Sequence, residues 1–171
     1  MIKIVILDVD GVLTDGRKYY DQSGLATHKT FCDKDFTAIK KFKSVGCDVI
    51  FLSGDKNINE KIAENRNIPF YYTRGECKSK FLPTIMEKFK CKSDEMVFVG
   101  DDLFDLEIMK MVKYKFCPKD SPTEVKEVCQ VLTTNGGCNC VLEVYETLYM
   151  NSQIPLFDIN EIYKLDEKEK F

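Results

Sequence analysis

Residues 2–7 read Ile-Lys-Ile-Val-Ile-Leu, β-branched and aliphatic with no helical period, and the run breaks on two carboxylates, Asp8 and Asp10. An apolar run of this kind is the pattern of a strand buried on both faces, as parallel sheets require. Shorter runs of the same type recur at 47–52, 69–72, 96–100, 114–116 and 131–132. Between them the period changes. Phe36, Ile39 and Phe42 fall at helical spacing in 33–45, where Asp33 or Asp35 suits a cap and Gly46 a stop. Ile58 and Ile62 face inward from a helix at 57–66, and Leu82, Ile85, Met86 and Phe89 share one face after residue 80. Further helices are expected at 103–111, 122–128 and 141–150, the last turning Val141, Val144, Tyr145 and Leu148 to the core.

Strand and helix therefore alternate, which predicts an α/β chain with a Rossmann-like, doubly wound parallel sheet. One departure follows the first strand. Residues 17–30 alternate loosely around the turn Asp21-Gln22-Ser23-Gly24, a β-hairpin pairing 18–20 with 26–28 and projecting over the end of that strand. Residues 1–150 form a single domain in this reading, and 151–171 form a polar tail with few apolar anchors, mobile in isolation.

With 171 residues, 44% hydrophobic and 31% charged, the chain has the size and composition of one globular domain. Its net charge of -3 predicts no affinity for nucleic acid or anionic membrane, so any anionic substrate is drawn in by local cations or a metal. No stretch approaches the roughly 18 apolar residues of a membrane span, and Met1 runs directly into a strand, which together point to the cytoplasm. The eight cysteines are irregularly spaced and read as free thiols; Cys138 and Cys140 lack the partners of a zinc site, and His28 has no nameable catalytic partner.

Candidate chemistry collects where strands end. Asp8 and Asp10 leave the first strand, Ser53 and Gly54 the second, and Asp101, Asp102 and Asp105 follow Gly100 after the fourth. In open α/β sheets such ends converge on one crevice. Taken alone, Asp8-Val9-Asp10 is equally an acidic turn without chemistry. A lysine at the helix start near residue 80 opposes the helix dipole, and an anionic ligand would explain it. Together these types suit phosphoryl transfer: Asp8 as nucleophile, Asp10 as acid and base, Ser53, Gly54 and Lys80 around the phosphate, and Mg²⁺ on the Asp8 carboxylate, the Asp10 backbone carbonyl and Asp101. Thr14, Asp102 and Asp105 support this set.

Asp8-Val9-Asp10-Gly11-Val12-Leu13-Thr14-Asp15-Gly16, with Ser53, a lysine and the run 100–106, resembles the four signature motifs of the haloacid dehalogenase superfamily of phosphatases. The chain is most similar to the cap-less branch that acts on 3-deoxy-D-manno-octulosonate 8-phosphate or on nonulosonate (sialic acid type) 9-phosphates. The resemblance covers about residues 1–150, including Gly136-Gly137. It implies Mg²⁺, a small sugar-phosphate substrate and a homotetramer in which a neighbour's hairpin and tail close the site. It favours Lys80 in the third motif because an apolar residue follows directly, with Lys78 as the register alternative. The family commonly has Thr-Gly-Arg where this chain has Ser53-Gly54-Asp55, Gly-Gly-Arg-Gly where it has Gly136-Gly137-Cys138-Asn139, and glycine where it has Phe36. Two arginines suited to a sugar-acid carboxylate are thus absent. The rival classes are a receiver domain, which places its phospho-acceptor on a middle strand, and an inactive binding or scaffold module.

Overall fold

The computed structural model describes residues 1–170; Phe171, the end of the expected tail, lies outside them. Six parallel strands form one sheet: β1 (Ile4–Leu7), β4 (Asp48–Ser53), β5 (Phe70–Tyr72), β6 (Met96–Val99), β7 (Tyr114–Cys117) and β8 (Gln130–Val131). Their spatial order is β5-β4-β1-β6-β7-β8, so β1 lies between β4 and β6. The chain winds outward from β1 through β4 to β5, returns to the other side of β1, and winds outward again. That reversal makes the carboxyl end of β1 the switch point of the sheet, where a crevice opens.

The alternation of side chains explains why every residue of β1 is buried. Val5 and Leu7 face one apolar layer with Val49, Phe51, Val97 and Val99, while Ile4 and Ile6 face the other with Ile50, Leu52 and Phe98. On the first face lie α1 (Asp33–Ser44), α2 (Asn57–Asn65) and α6 (Cys140–Met150); on the second lie α3 (Leu82–Phe89), α4 (Leu106–Met111) and α5 (Thr123–Lys126). The sheet is thus covered on both faces, and the predicted architecture holds. The expected hairpin is present as β2 (Tyr19–Tyr20) against β3 (Ala26–His28), with Tyr19 opposite His28. Its turn is tied by Asp21 Oδ1, which accepts from the backbone N–H of Ser23 and Leu25 at 2.9 and 3.0 Å.

Three local expectations change. In α2 the buried positions are Asn59 and Ala63, with Ile58 and Ile62 half-buried, because the Asn59 amide is drawn inward by hydrogen bonds described below. Asp35 caps no end of its own helix. Its Oδ1 instead accepts from the backbone N–H groups of Val141 and Leu142 at 2.8 and 3.1 Å, tying α1 to the start of α6.

The tail is not a loose strand. Asp158 caps α7 (Ile159–Asp166) through its side chain, Ile162 is buried, and the helix packs on α1. Beyond it Glu169, only 6% exposed in its side chain, pairs with Arg66 at 2.6 Å and Lys40 at 3.1 Å, and Lys40 also holds Asp166. Arg66 in turn stacks its guanidinium on Phe36, 3.5 Å from the ring centre. The sequence gives little hint of this, since a polar tail anchors here through compensated charges rather than an apolar stripe. Replacing Glu169 with Ala removes a carboxylate shared by the two buried cations Lys40 and Arg66 and is expected to lower the unfolding free energy by about 1–3 kcal/mol, measured by urea denaturation; an unchanged midpoint would contradict the docked tail.

Candidate active site

The residue after β1 sets the site. The Asp8 backbone N–H donates to Val99 O at 2.9 Å, extending the sheet by one bond, and its carboxylate then meets two donors. Oδ1 accepts from the Val9 N–H at 2.7 Å and Oδ2 from Lys78 Nζ at 2.6 Å. Lys78 also donates to Asp105 Oδ1 at 2.6 Å, and Asp105 Oδ2 accepts from the backbone N–H groups of Asp101 and Asp102 at 2.9 and 3.1 Å. The loop after β6 is thereby wrapped around the Asp105 carboxylate, with Asp102 capping the turn that follows through the N–H of Leu103.

Glycines permit this closeness. A Cβ at Gly11, whose φ is +83°, would lie 1.9 Å from Asp101 Oδ2, so only glycine lets Asp101 come against the first loop. Gly136 is pressed on the same loop, a Cβ there falling 2.1 Å from the carbonyl oxygen of Gly11. Buried Thr14 braces the loop from within, its Oγ1 accepting from the N–H of Gly11 and Gly16 at 3.3 and 3.1 Å.

One oxygen each of Asp8, Asp101 and Asp105 lie within 4.8 Å of one another. Burial, with the neighbouring carboxylates adding to it, pushes Asp8 up to about 7 and Asp101 up to about 8, despite the lowering effect of Lys78. Burial acts to discharge Lys78, but Asp8 and Asp105 outweigh it and hold the ammonium in its charged form. Three carboxylates against one ammonium leave two negative charges uncompensated, which a divalent cation would neutralise. Among the described residues Asp101 Oδ1 is buried without a hydrogen-bond partner, as a ligand oxygen would be. Both oxygens of Asp105 are already engaged. Asp8 and Asp101 are therefore the side chains that fit a hard divalent cation.

The carboxylate of Asp10 turns away from that trio. Lys29 Nζ lies 2.8 Å from its Oδ1, and Asn59 Nδ2 donates to its Oδ2 at 3.0 Å. Asn59 also donates to Ser53 Oγ at 3.0 Å, which accepts from the Asp55 N–H at 3.2 Å. Asp55 stands where the resemblance leads one to expect arginine. It pairs with Lys18 at 2.7 Å and Lys29 at 2.8 Å, and these cations outweigh partial burial and bring its carboxyl down to about 2.

An open crevice of about 820 Å³ brings Asp8, Asp10, Ser53, Gly54, Asp101 and Asp102 together, as expected. It also contains Lys78 and, towards solvent, Arg74, Phe104 and Glu107. The choice of Lys80 is corrected. Lys80 is exposed and 3.9 Å from Glu76, whereas Lys78 is buried. Residues Lys78–Phe81 form a 3-10 turn, whose three residues per turn point positions 78 and 80 in different directions, and two carboxylates compensate the burial of the first. His28 is exposed and beside Thr27 on the hairpin. Sequence reasoning missed Lys18, Lys29 and Asn59. Nothing in the pattern said which hairpin lysines turn inward, but a polar residue one turn into α2, beside the expected apolar stripe, was a usable signal for Asn59.

Comparison with known proteins agrees with this geometry. Residues 56–144 match the family described as haloacid dehalogenase-like hydrolase. The 3-deoxy-D-manno-octulosonate 8-phosphate phosphatase of Haemophilus influenzae is 32% identical over 149 residues, 86% of this chain and 82% of that protein. The enzyme of the same name from Escherichia coli K12 is 29% identical over 87% of this chain and 80% of its own length. The cobalt-bound form of the deoxy-D-mannose-octulosonate 8-phosphate phosphatase from Haemophilus influenzae superposes with a TM-score of 0.83 at 30% identity, covering 89% of this chain and 90% of that one. The chain belongs to the haloacid dehalogenase-like hydrolase family and is a phosphoric monoester hydrolase.

Saturating the site with a divalent cation, at about a hundred times its dissociation constant, is expected to stabilise the fold by about 2.7 kcal/mol. The rise in melting temperature is expected to vanish in Asp101→Asn; an equal rise in that variant would place the cation elsewhere.

Proposed function

We propose that the protein is a Mg²⁺-dependent phosphatase of a sugar-acid phosphate, 3-deoxy-D-manno-octulosonate 8-phosphate, acting through an aspartyl-phosphate on Asp8. The observation that carries this reading is the junction of Asp8, Lys78 and Asp101 at the floor of the crevice, with Asp10 on an independent set of hydrogen bonds beside it.

The Asp8 carboxylate attacks phosphorus and the ester P–O bond breaks, its electrons going to the sugar oxygen. Asp10 gives that oxygen a proton. Asp10 then takes a proton from the water that attacks the phosphorus of the aspartyl-phosphate, the P–O bond to Asp8 breaks, and inorganic phosphate leaves. Lys78 and the Ser53 hydroxyl hold the phosphoryl oxygens, the lysine replacing Lys80 in that role. The Asp8 and Asp101 carboxylates and the Asp10 backbone carbonyl would hold Mg²⁺, which would supply charge neutralisation between nucleophile and phosphate.

The substrate is supported by the names of the relatives from Haemophilus influenzae and Escherichia coli. A nonulosonate 9-phosphate is the runner-up, a sugar acid that differs in chain length; Asp55 and Cys138 stand where arginines suited to the carboxylate of either are expected. The described cysteines are all free, which suits the reducing cytoplasm. The exposed Tyr19, Tyr20 and Leu25 of the hairpin offer apolar surface for a homotetramer. A helix long and apolar enough to cross a membrane is absent among the described residues.

Phosphate release from a panel of both sugar-acid phosphates and neutral sugar phosphates tests the substrate; preference for a neutral sugar would contradict it. Asp8→Asn is expected to remove activity, and Lys78→Met to lower kcat by about 10²–10³, with Lys80→Met within about twofold of wild type. Equal losses in the two lysine variants would overturn the assignment of Lys78.

A further inference from the structure

We propose that Lys29 is a positioning residue, fixing the carboxylate of Asp10 for proton transfer to the leaving group; the proposal rests on the phosphatase reading above. The side chain of Lys29 is 1% exposed, and its ammonium donates to three acceptors, Asp10 Oδ2 at 3.0 Å and Asp55 Oδ2 and Asn59 Oδ1 at 2.8 Å, with Asp10 Oδ1 2.8 Å away in the same ion pair. Two carboxylates, Asp10 and Asp55, compensate the burial of this side chain. Asn59, fully buried, completes the arrangement. Its oxygen faces the ammonium while its nitrogen donates to Asp10 Oδ2 and Ser53 Oγ, both at 3.0 Å, so one amide orientation serves all partners. Lys29 and Asn59 thus both donate to Asp10 Oδ2 at 3.0 Å, leaving Oδ1 without a hydrogen-bond partner among the described residues, and the same amide sets Asp10 relative to Ser53.

The source of the cation matters. Lys29 immediately follows β3, and Lys18 immediately precedes β2 with its Nζ 2.7 Å from Asp55 and 3.8 Å from Asp10. The hairpin is therefore pinned at both of its roots to the proton-transfer residue and to the loop after β4. Asp55, out of place as a substrate-gripping residue, has a role here as the anion that shares Lys29 with Asp10.

The chemistry supplies a readout that charge compensation alone would not move. When the ester bond of an alkyl phosphate breaks, the alkoxide oxygen needs the proton of Asp10; p-nitrophenolate leaves as an anion without it. Misplacing Asp10 thus slows phosphorylation of Asp8 by alkyl esters and spares that step for the activated aryl ester, within the roughly 10²–10⁴-fold that a positioned general acid contributes; kcat/KM, which covers the steps up to release of the leaving group, reads it apart from the aspartyl-phosphate hydrolysis that both esters share.

The experiment compares wild type, Lys29→Met and Lys29→Arg on p-nitrophenyl phosphate and on the alkyl phosphate of the panel that wild type hydrolyses best. Lys29→Met is expected to lower kcat/KM at least about 30-fold on the alkyl ester and less than about fivefold on the aryl ester, and Lys29→Arg to recover most of the loss. Equal losses on both esters, or no loss, overturn the role of Lys29 while leaving the phosphatase reading intact. A wild type that releases phosphate from no alkyl ester overturns that reading, and this proposal with it. Should Lys29→Met lack a cooperative melt, Asn59→Ala, which removes a donor to Asp10 but no charge, decides: the ratio of the two rates is expected to shift at least about threefold in the same direction, and an unchanged ratio overturns the proposal.

Discussion

The ammonium of Lys78 between Asp8 and Asp105 is the contact on which the rest of the site depends. Three carboxylates crowd into a buried space at the end of the sheet, and their mutual repulsion would drive them apart or keep them protonated. One cation from the turn before α3 relieves part of that repulsion. It does so by joining three segments: the end of β1, the turn Lys78–Phe81, and the loop after β6 through Asp105. The negative charge that one ammonium cannot compensate is what a divalent cation on Asp8 and Asp101 would neutralise.

The fold delivers these segments to one point. Because β1 sits between β4 and β6, its carboxyl end lies next to both neighbouring loops; Gly11 lets the loop after β6 close to contact distance, and Gly136 lets the loop between β8 and α6 do the same. The hairpin adds a fourth contribution from the side, Lys29 and Lys18 meeting Asp10 and Asp55. The site therefore divides in two. An inner half holds Asp8, Lys78, Asp101 and Asp105, which the proposed mechanism sets against charge at phosphorus; an outer half holds Asp10, Lys29, Asn59 and Asp55, around the carboxylate that the same proposal sets against the leaving oxygen.

Much of this was legible in the amino-acid order, for definite reasons. A strand buried on both faces has to be apolar throughout, so β1, β4 and β6 announce themselves, and polar residues at their ends mark the crevice. The lysine register was not legible, because a 3-10 turn and an α-helix start look alike in sequence while pointing Lys78 and Lys80 apart. The phase of α2 was misread for a related reason: Asn59 is inside because its hydrogen bonds make burial tolerable, which hydrophobic periodicity cannot register. The docked tail was invisible because its anchor, Glu169 against Arg66 and Lys40, depends on residues about a hundred positions away.

The central claim is that Asp8 is the covalent nucleophile, and acid-quenched single turnover on the preferred sugar phosphate, followed by peptide mapping, tests it most directly. The expected result is a transient, base-labile phosphoryl group on the peptide holding Asp8, formed before free phosphate appears and absent in Asp8→Asn. Free phosphate released with no phosphorylated peptide at any time, or with the label on another residue, would contradict it.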